Sequence, residues 1–210
     1  GKIPIIHDCA AGIADMQVRN RGTIGGSLAE ADPSGDWATV LMTLSTDILC
    51  LGNNGERNVP LSEFILDAYT TALAHDELVK EIVVKKPAKG TGGAYIAFKR
   101  SAPVYPSASA AVQLTMQDDV CTNVAIVLGC VGLTPVRATE AESALRGQTL
   151  NDKAVAIAMD AAQAAGDPQT DMRGSAEYKR MLAGALMKRA LDVAARRALG
   201  AKVEVSHIYA

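Results

Sequence analysis

Apolar and polar positions follow one rhythm before about residue 90 and another after it. Residues 8–17, DCAAGIADMQ, carry apolar side chains at helical spacing and lead into a glycine-rich stretch. Beyond that stretch WATVLMTLS (37–45) reads as a short buried helix capped near Ser34 or Asp36. TDILCLG follows as a strand. The Asn-Gly of NNGE (53–56) supplies the positive φ of a tight hairpin turn, so ERNVPLSEFI returns as a strand and then a short helix. DELVKEIVVKKP (76–87) ends as a strand before Pro87.

The Pro/Gly/Lys-rich KKPAKGTGGA (85–94) marks a boundary, and the pattern beyond it alternates with period two. Ala94, Ile96 and Phe98 fall on one side of a strand, Tyr95, Ala97 and Lys99 on the other. Ala108, Ala110, Val112, Leu114 and Met116 repeat the pattern opposite Ser107, Ser109, Gln113 and Thr115. A turn at Asp118-Asp119 leads to CTNVAIVLGCVG, which completes an antiparallel meander with one buried face. Helices follow at 138–147, stopped by Gly147, and at 151–166, opened by an Asn cap. The longest runs from Ser175 to Leu199, with Tyr178, Leu182, Leu186, Ala190 and Val193 on its apolar stripe. Lys179, Lys188, Arg189, Asp192, Arg196 and Arg197 lie off that stripe, as suits solvent or a partner. Three helices over a three-stranded sheet make this an α+β chain, with units at 1–88 and 89–210.

Composition narrows the classes. Of 210 residues 49% are hydrophobic and 21% charged, with a net charge of −2 and no long basic run, which argues against a nucleic-acid partner. No apolar stretch is long enough to span a membrane. Cys9, Cys50, Cys121 and Cys130 are scattered among apolar neighbours without metal-ligand spacing, as free thiols of a cytoplasmic protein would be. His7, His75 and His207 lie far apart, so no metal site is expected.

The chemistry concentrates in RGTIGGSLAEADPSGDW, Arg21 to Trp37. Paired glycines open backbone angles closed to other residues and let a diphosphate approach the chain, where successive N–H groups can face its oxygens. Thr23 and Ser27 offer hydroxyls beside Gly25 and Gly26. Asp32 and Asp36 are carboxylates able to accept from ribityl or ribose hydroxyls. The same residues also suit a plain turn followed by a helix cap, and the spacing matches neither a nicotinamide fingerprint nor a phosphate loop ending in Gly-Lys.

The segment QVRNRGTIGGSLAEADPSGDWATVL resembles the flavin-binding, or medium, subunit of molybdenum hydroxylases. This group includes carbon monoxide dehydrogenase, xanthine dehydrogenase and aldehyde oxidoreductases. The likeness resumes at AFKRSAPVYPSASAAVQLTM, VGLTPVRATEAESALRG and DMRGSAEYKRMLAGALMKRAL. It implies the second part of an FAD domain of the vanillyl-alcohol-oxidase or p-cresol-methylhydroxylase type, followed by the C-terminal domain typical of these flavoproteins. It further implies that Thr23, Ile24, Gly25, Gly26 and Ser27 form the second pyrophosphate loop. Asp36 would contact the flavin nucleotide, and Lys99 and Tyr105 would lie near the isoalloxazine. A valine at Gly25 or Gly26 is then expected to expel FAD.

The family's first FAD loop, Ala-Gly-Gly-x-Ser, does not occur in this sequence, so either the sequence is the ordered part of a longer polypeptide, the favoured reading, or another chain supplies the first lobe. The resemblance also implies partners: a large subunit with the molybdenum cofactor, and a small subunit with [2Fe–2S] clusters, assembled as a dimer of heterotrimers. The flavin subunit would pass electrons from the clusters to an external acceptor and would contribute no catalytic residue or metal ligand of its own. A stand-alone flavin oxidase or reductase, and a flavin-free structural subunit, are the rival readings.

Overall fold

The structure is a computed structural model that describes residues 3–101, 103–205 and 207–209. Helix α1 (Pro4–Gly12) starts earlier than the apolar spacing predicts, because Pro4 at its first turn needs no N–H partner. A separate short helix, α2 (Met16–Arg19), is capped by Asp15, whose carboxylate accepts from the Val18 amide at 2.9 Å. The glycine stretch is itself helical as α3 (Ile24–Glu30). Four loop residues and the N-cap Gly35 separate it from α4 (Asp36–Leu41), and a 3-10 turn extends α4 through Leu44. The N-cap Gly35 falls between Ser34 and Asp36, where the cap was expected, but neither side chain completes it, since both are engaged elsewhere.

Strands β1 (Thr46–Gly52) and β2 (Gly55–Pro60) form the expected hairpin, turned by Gly55 at φ +103°. Helix α5 (Leu61–Phe64) and the small pair β3 (Ile65–Asp67) and β4 (Thr70–Thr71) follow. β5 (Leu78–Val84) then pairs antiparallel with β1, giving a sheet of order β2-β1-β5.

The second sheet is built on the meander β6 (Thr91–Lys99), β7 (Ala108–Gln117) and β8 (Val120–Gly129). It is wider than the three strands expected. β9 (Val136–Arg137) and β10 (Gln148–Thr149) both run along β8, and β11 (Ile208–Tyr209) lies parallel to β6. These additions are two residues long, too short to leave a periodic signal. Between them come α6 (Thr139–Leu145), α7 (Asp152–Ala165), capped by Asn151, and α8 (Ala176–Ala198), capped by Ser175.

The meander buries both faces, not one. Ala94, Ile96, Ala110, Val112 and Leu114 pack beneath α6, α7 and α8. Tyr95, Ala97 and Ala111 on the opposite face join Ile5, Cys9, Val40 and Leu41 of α1 and α4. Gly92 is required here, because a Cβ on it would lie 2.0 Å from the Ala194 carbonyl oxygen of α8. Three cations that the pattern placed on polar faces are buried. Lys99 is 1% exposed and Lys179 3%. Arg197 forms a buried ion pair with Asp8 at 2.6 Å. As expected, the cysteines are free thiols, with Cys9, Cys50 and Cys121 buried.

Candidate functional site

A cavity of about 690 Å³ opens where α1, α2, α3 and α4 meet the end of β6 and the turn after it. That volume is in the range of cofactor sites. One wall is α3. Thr23 is its N-cap, in extended conformation, and the Thr23 hydroxyl accepts from the Gly26 amide at 2.9 Å. The amides of Ile24 and Gly25, in the first turn, have no acceptor within the helix, and Ile24 lies on the cavity wall.

Charge is graded along this wall. Arg19, Arg21 and Gly22 stand near the N-terminal end of α3, and Glu30 and Asp32 at the other. The helix has seven residues and is thus about 10 Å long. An anionic group is favoured at the first end by cations and free amides. Carboxylates at the second can accept hydrogen bonds from hydroxyls. Arg19 is partly committed, donating to the carbonyl oxygens of Ile13 and Ala14 at 2.5 and 3.0 Å.

The floor is a buried polar network. Asp36 opens α4, where a carboxylate also meets the favourable end of the helix dipole. Its Oδ1 accepts from the Tyr95 hydroxyl, and its Oδ2 lies 3.7 Å from the Lys99 ammonium. Lys99 donates to the Gly12 carbonyl oxygen at 2.6 Å. Burial raises the Asp36 carboxyl above the ordinary range, opposed by the Lys99 charge and the Tyr95 hydrogen bond. Burial likewise pushes the Tyr95 phenol well up, with the Asp36 charge adding to it. Tyr105 stands half-exposed at the rim, its phenol pushed up to about 12 by partial burial and then by the charges of Asp32 and Glu30.

Of the residues marked in the sequence, Thr23, Ile24, Gly26, Ser27, Asp36, Lys99 and Tyr105 all line this cavity. Gly25 does not. A Cβ on Gly25 would point to the Val79 methyl of β5 at 3.6 Å. Both glycines have ordinary helical φ, so the expected need for unusual backbone angles is not what places them there. Asp36 and Lys99 differ from expectation in a second way, for each spends its polar atoms on protein partners as well as facing the cavity. Reasoning from the sequence missed Arg19, Arg21, Glu30 and Trp37, and the apolar wall of Ile13, Val18 and Val104. The Arg-x-Arg flank of the glycine stretch was the available signal. Among the described residues no group of acidic, His and Cys side chains is arranged to hold a metal ion, and no helix is long and apolar enough to cross a membrane.

A graded cavity built around a glycine-bearing helix has the size and charge pattern that suit a nucleotide cofactor, and comparison with known proteins gives the family. Residues 1–87 match the family described as FAD binding domain in molybdopterin dehydrogenase, and residues 93–194 match the CO dehydrogenase flavoprotein C-terminal domain. The chain is 38% identical over 193 residues to the carbon monoxide dehydrogenase medium chain of Hydrogenophaga pseudoflava, covering 92% of this chain and 67% of that one. It is 34% identical over 206 residues to subunit alpha of the 6-hydroxypseudooxynicotine dehydrogenase complex of Paenarthrobacter nicotinovorans, covering 98% and 70%. In the solved carbon monoxide dehydrogenase from Hydrogenophaga pseudoflava that lacks the Mo-pyranopterin moiety of its cofactor, one chain superposes with a TM-score of 0.90. That chain is 40% identical, and the match covers 92% of this chain and 68% of that one. The chain thus belongs to the FAD-binding medium subunits of molybdenum hydroxylases, which are oxidoreductases, and spans about two thirds of the length of these relatives.

Proposed function

We propose that the cavity holds FAD with its pyrophosphate at the N-terminal end of α3 and its hydroxyl-bearing chain toward the carboxylates. The observation that carries this reading is the charge gradient along α3, with amides and arginines at one end and Glu30 and Asp32 at the other. The residues fit the group. Thr23, Ile24, Gly25, Gly26 and Ser27 would supply backbone and hydroxyl donors, and Gly26 leaves the approach open. Asp36 would accept from the nucleotide. Lys99 and Tyr105 would lie near the isoalloxazine, Lys99 holding positive charge in a buried floor and Tyr105 shielding the mouth from water. FAD, when bound, supplies chemistry that takes electrons one at a time and releases them singly or in pairs.

On this reading the chain is an electron-transfer subunit. It receives electrons from [2Fe–2S] clusters of a small subunit, after a large subunit with the molybdenum cofactor has oxidised the substrate, and hands them to an external acceptor. The assembly would be a cytoplasmic dimer of heterotrimers. The chain would divide into a FAD-binding lobe at 1–88, of the vanillyl-alcohol-oxidase or p-cresol-methylhydroxylase type, and a C-terminal domain at 89–210. Its likeness to subunits of dehydrogenases for carbon monoxide and for a hydroxylated nicotine derivative supports leaving substrate choice to the large subunit.

Purifying the full-length protein with its partners tests this. Bound flavin that substrate reduces through the complex, and that an added acceptor reoxidises, is the expected result. A complex that assembles and turns over with no flavin overturns it.

A further inference from the structure

The segment DMRGSAEYK, Asp171 to Lys179, forms no part of the cavity wall, yet its polar groups converge on the loop that does. Asp171 and Gly174 exchange both backbone hydrogen bonds at 3.1 Å, closing the turn. The Asp171 carboxylate accepts from the Arg173 amide at 2.8 Å, from Arg173 Nε and Nη2 at 3.3 and 3.2 Å, and from Lys179 Nζ at 2.8 Å. Lys179 is buried at the start of α8 and also donates to the Gln169 carbonyl oxygen at 2.8 Å. The remaining guanidinium nitrogen, Arg173 Nη1, crosses 139 positions of sequence to donate to Ser34 Oγ at 2.7 Å.

Ser34 is buried at the centre of the loop between α3 and α4. Its amide donates to Asp32 Oδ1 at 2.8 Å, and the Gly35 amide donates to the Asp32 carbonyl oxygen at 2.9 Å. Asp32, Gly35 and Asp36 all line the cavity. From the other side, Ser107 Oγ donates to the Arg173 carbonyl oxygen at 2.8 Å, fixing the turn against the start of β7. A buried hydroxyl needs a partner, and a guanidinium keeps its charge at every working pH. A fork already locked by Asp171 loses little further freedom on reaching Ser34.

The geometry points to Arg173 as a positioning residue for the cofactor cavity: through Ser34 it holds the Asp32–Asp36 loop in the shape that receives the ligand. The inference rests on the cavity being the FAD site. It assigns to the Asp171–Lys179 block a task that its distance along the chain conceals. Arg173 does not line the cavity, and its side-chain bond to the loop runs to Ser34, so the dependence on Ser34 can be measured.

The test is a double-mutant cycle on the full-length protein, with FAD affinity read by titration after flavin removal. Hydrogen exchange at the Ser34 amide is read separately without flavin. Arg173→Ala and Ser34→Ala should each weaken FAD binding about tenfold, and the double variant about tenfold in total rather than a hundredfold, because both cut one path. Ser34 amide exchange should quicken in both variants to a similar degree. Arg173→Lys, which cannot keep the Asp171 fork while reaching Ser34, should recover little. Multiplicative losses, unchanged affinity with only a lower melting temperature, or unchanged Ser34 exchange would each overturn the inference. If the native protein binds no FAD, the reading of the cavity fails, while the exchange arm still decides whether Arg173 holds the loop.

Discussion

Gly25 and Gly26 are adjacent in sequence and helical in structure, but they face different neighbours, and this separates their roles. A Cβ on Gly26 would sit 2.9 Å from Thr23 Oγ1, the atom that caps the helix, whereas one on Gly25 meets only a methyl at ordinary contact distance. Gly25→Ala should therefore stabilise the flavin-free protein by about 0.5–1 kcal/mol, the usual helical gain over glycine, and leave FAD affinity nearly unchanged. Gly26→Ala should displace Thr23, lose about 1 kcal/mol of capping and weaken FAD binding. Denaturant unfolding and flavin titration of both variants distinguish the two, and equal behaviour would remove Gly26 from the proposed phosphate site. Lys99 presents a different residue-scale problem. It is buried beside Asp36, so Lys99→Met leaves a buried carboxylate without its ammonium neighbour, the Tyr95 hydroxyl still donating to it. Loss of one partner of such a pair costs about 3–5 kcal/mol, and adding Asp36→Leu should recover part of it. Denaturant titration of the single and double variants checks this, and a double variant that loses the sum of the two single losses would show that the pair is not coupled.

At the scale of elements, the helices 138–147, 151–166 and 175–199 were legible because each has a cap or stop residue at a periodic boundary. β6 was legible as a strand but not as a strand buried twice. Alternating Ala, Tyr, Ile, Ala, Phe and Lys suggests a polar face, and only the packing of α1 and α4 on that face turns Lys99 inward. The same limit hid Lys179, whose partner Asp171 lies in a loop with no periodicity. The glycine stretch was read as a loop because helix propensity counts Gly-Gly against a helix, yet Thr23 caps it and Leu28 anchors it in the core. The Asp171 turn has a pH signature of its own. Burial raises its carboxyl, but the Lys179 hydrogen bond and the Arg173 backbone and side-chain bonds outweigh that and hold it at about 2. A carboxyl depressed on folding contributes stability above its unfolded value near 4, and that contribution fades as pH falls toward 2. Asp171→Asn should therefore flatten stability between about pH 4 and 2 relative to the native protein. Identical acid-unfolding profiles for the two proteins would show that the turn contributes no such linkage.

Across the whole molecule, the cavity depends on contacts that join distant parts of the chain. Tyr95 reaches Asp36, Arg173 reaches Ser34, and Arg197 of α8 reaches Asp8 of α1. The last is the most completely bonded. Arg197 Nη1 donates to Asp8 Oδ2 at 2.6 Å and to the Gly93 carbonyl oxygen at 2.7 Å, and its Nη2 donates to Asp8 Oδ1 at 3.0 Å. Nε and Nη2 also donate to the Val203 carbonyl oxygen, at 3.0 and 2.7 Å, which holds the chain beyond α8 in place. α1 in turn brings Ala10 to the cavity and offers the Gly12 carbonyl oxygen to Lys99. Removing the guanidinium leaves Asp8 charged and buried, with the Tyr95 amide at 3.3 Å as its side chain's remaining donor among these contacts. Arg197→Ala should thus cost about 3–5 kcal/mol, a fall in melting temperature on the order of 10 °C for a chain of this size. Because α1 forms one side of the cavity, FAD affinity should fall with it, although Arg197 lies outside the lining. Calorimetry and flavin titration on Arg197→Ala, and on Arg197→Met with Asp8→Leu, separate charge from packing. Recovery of stability and affinity in the double variant would assign the loss to the stranded carboxylate. A melting temperature unchanged in Arg197→Ala would show that α1 is held to β6 without this ion pair, by its apolar face and the Lys99 and Tyr95 hydrogen bonds.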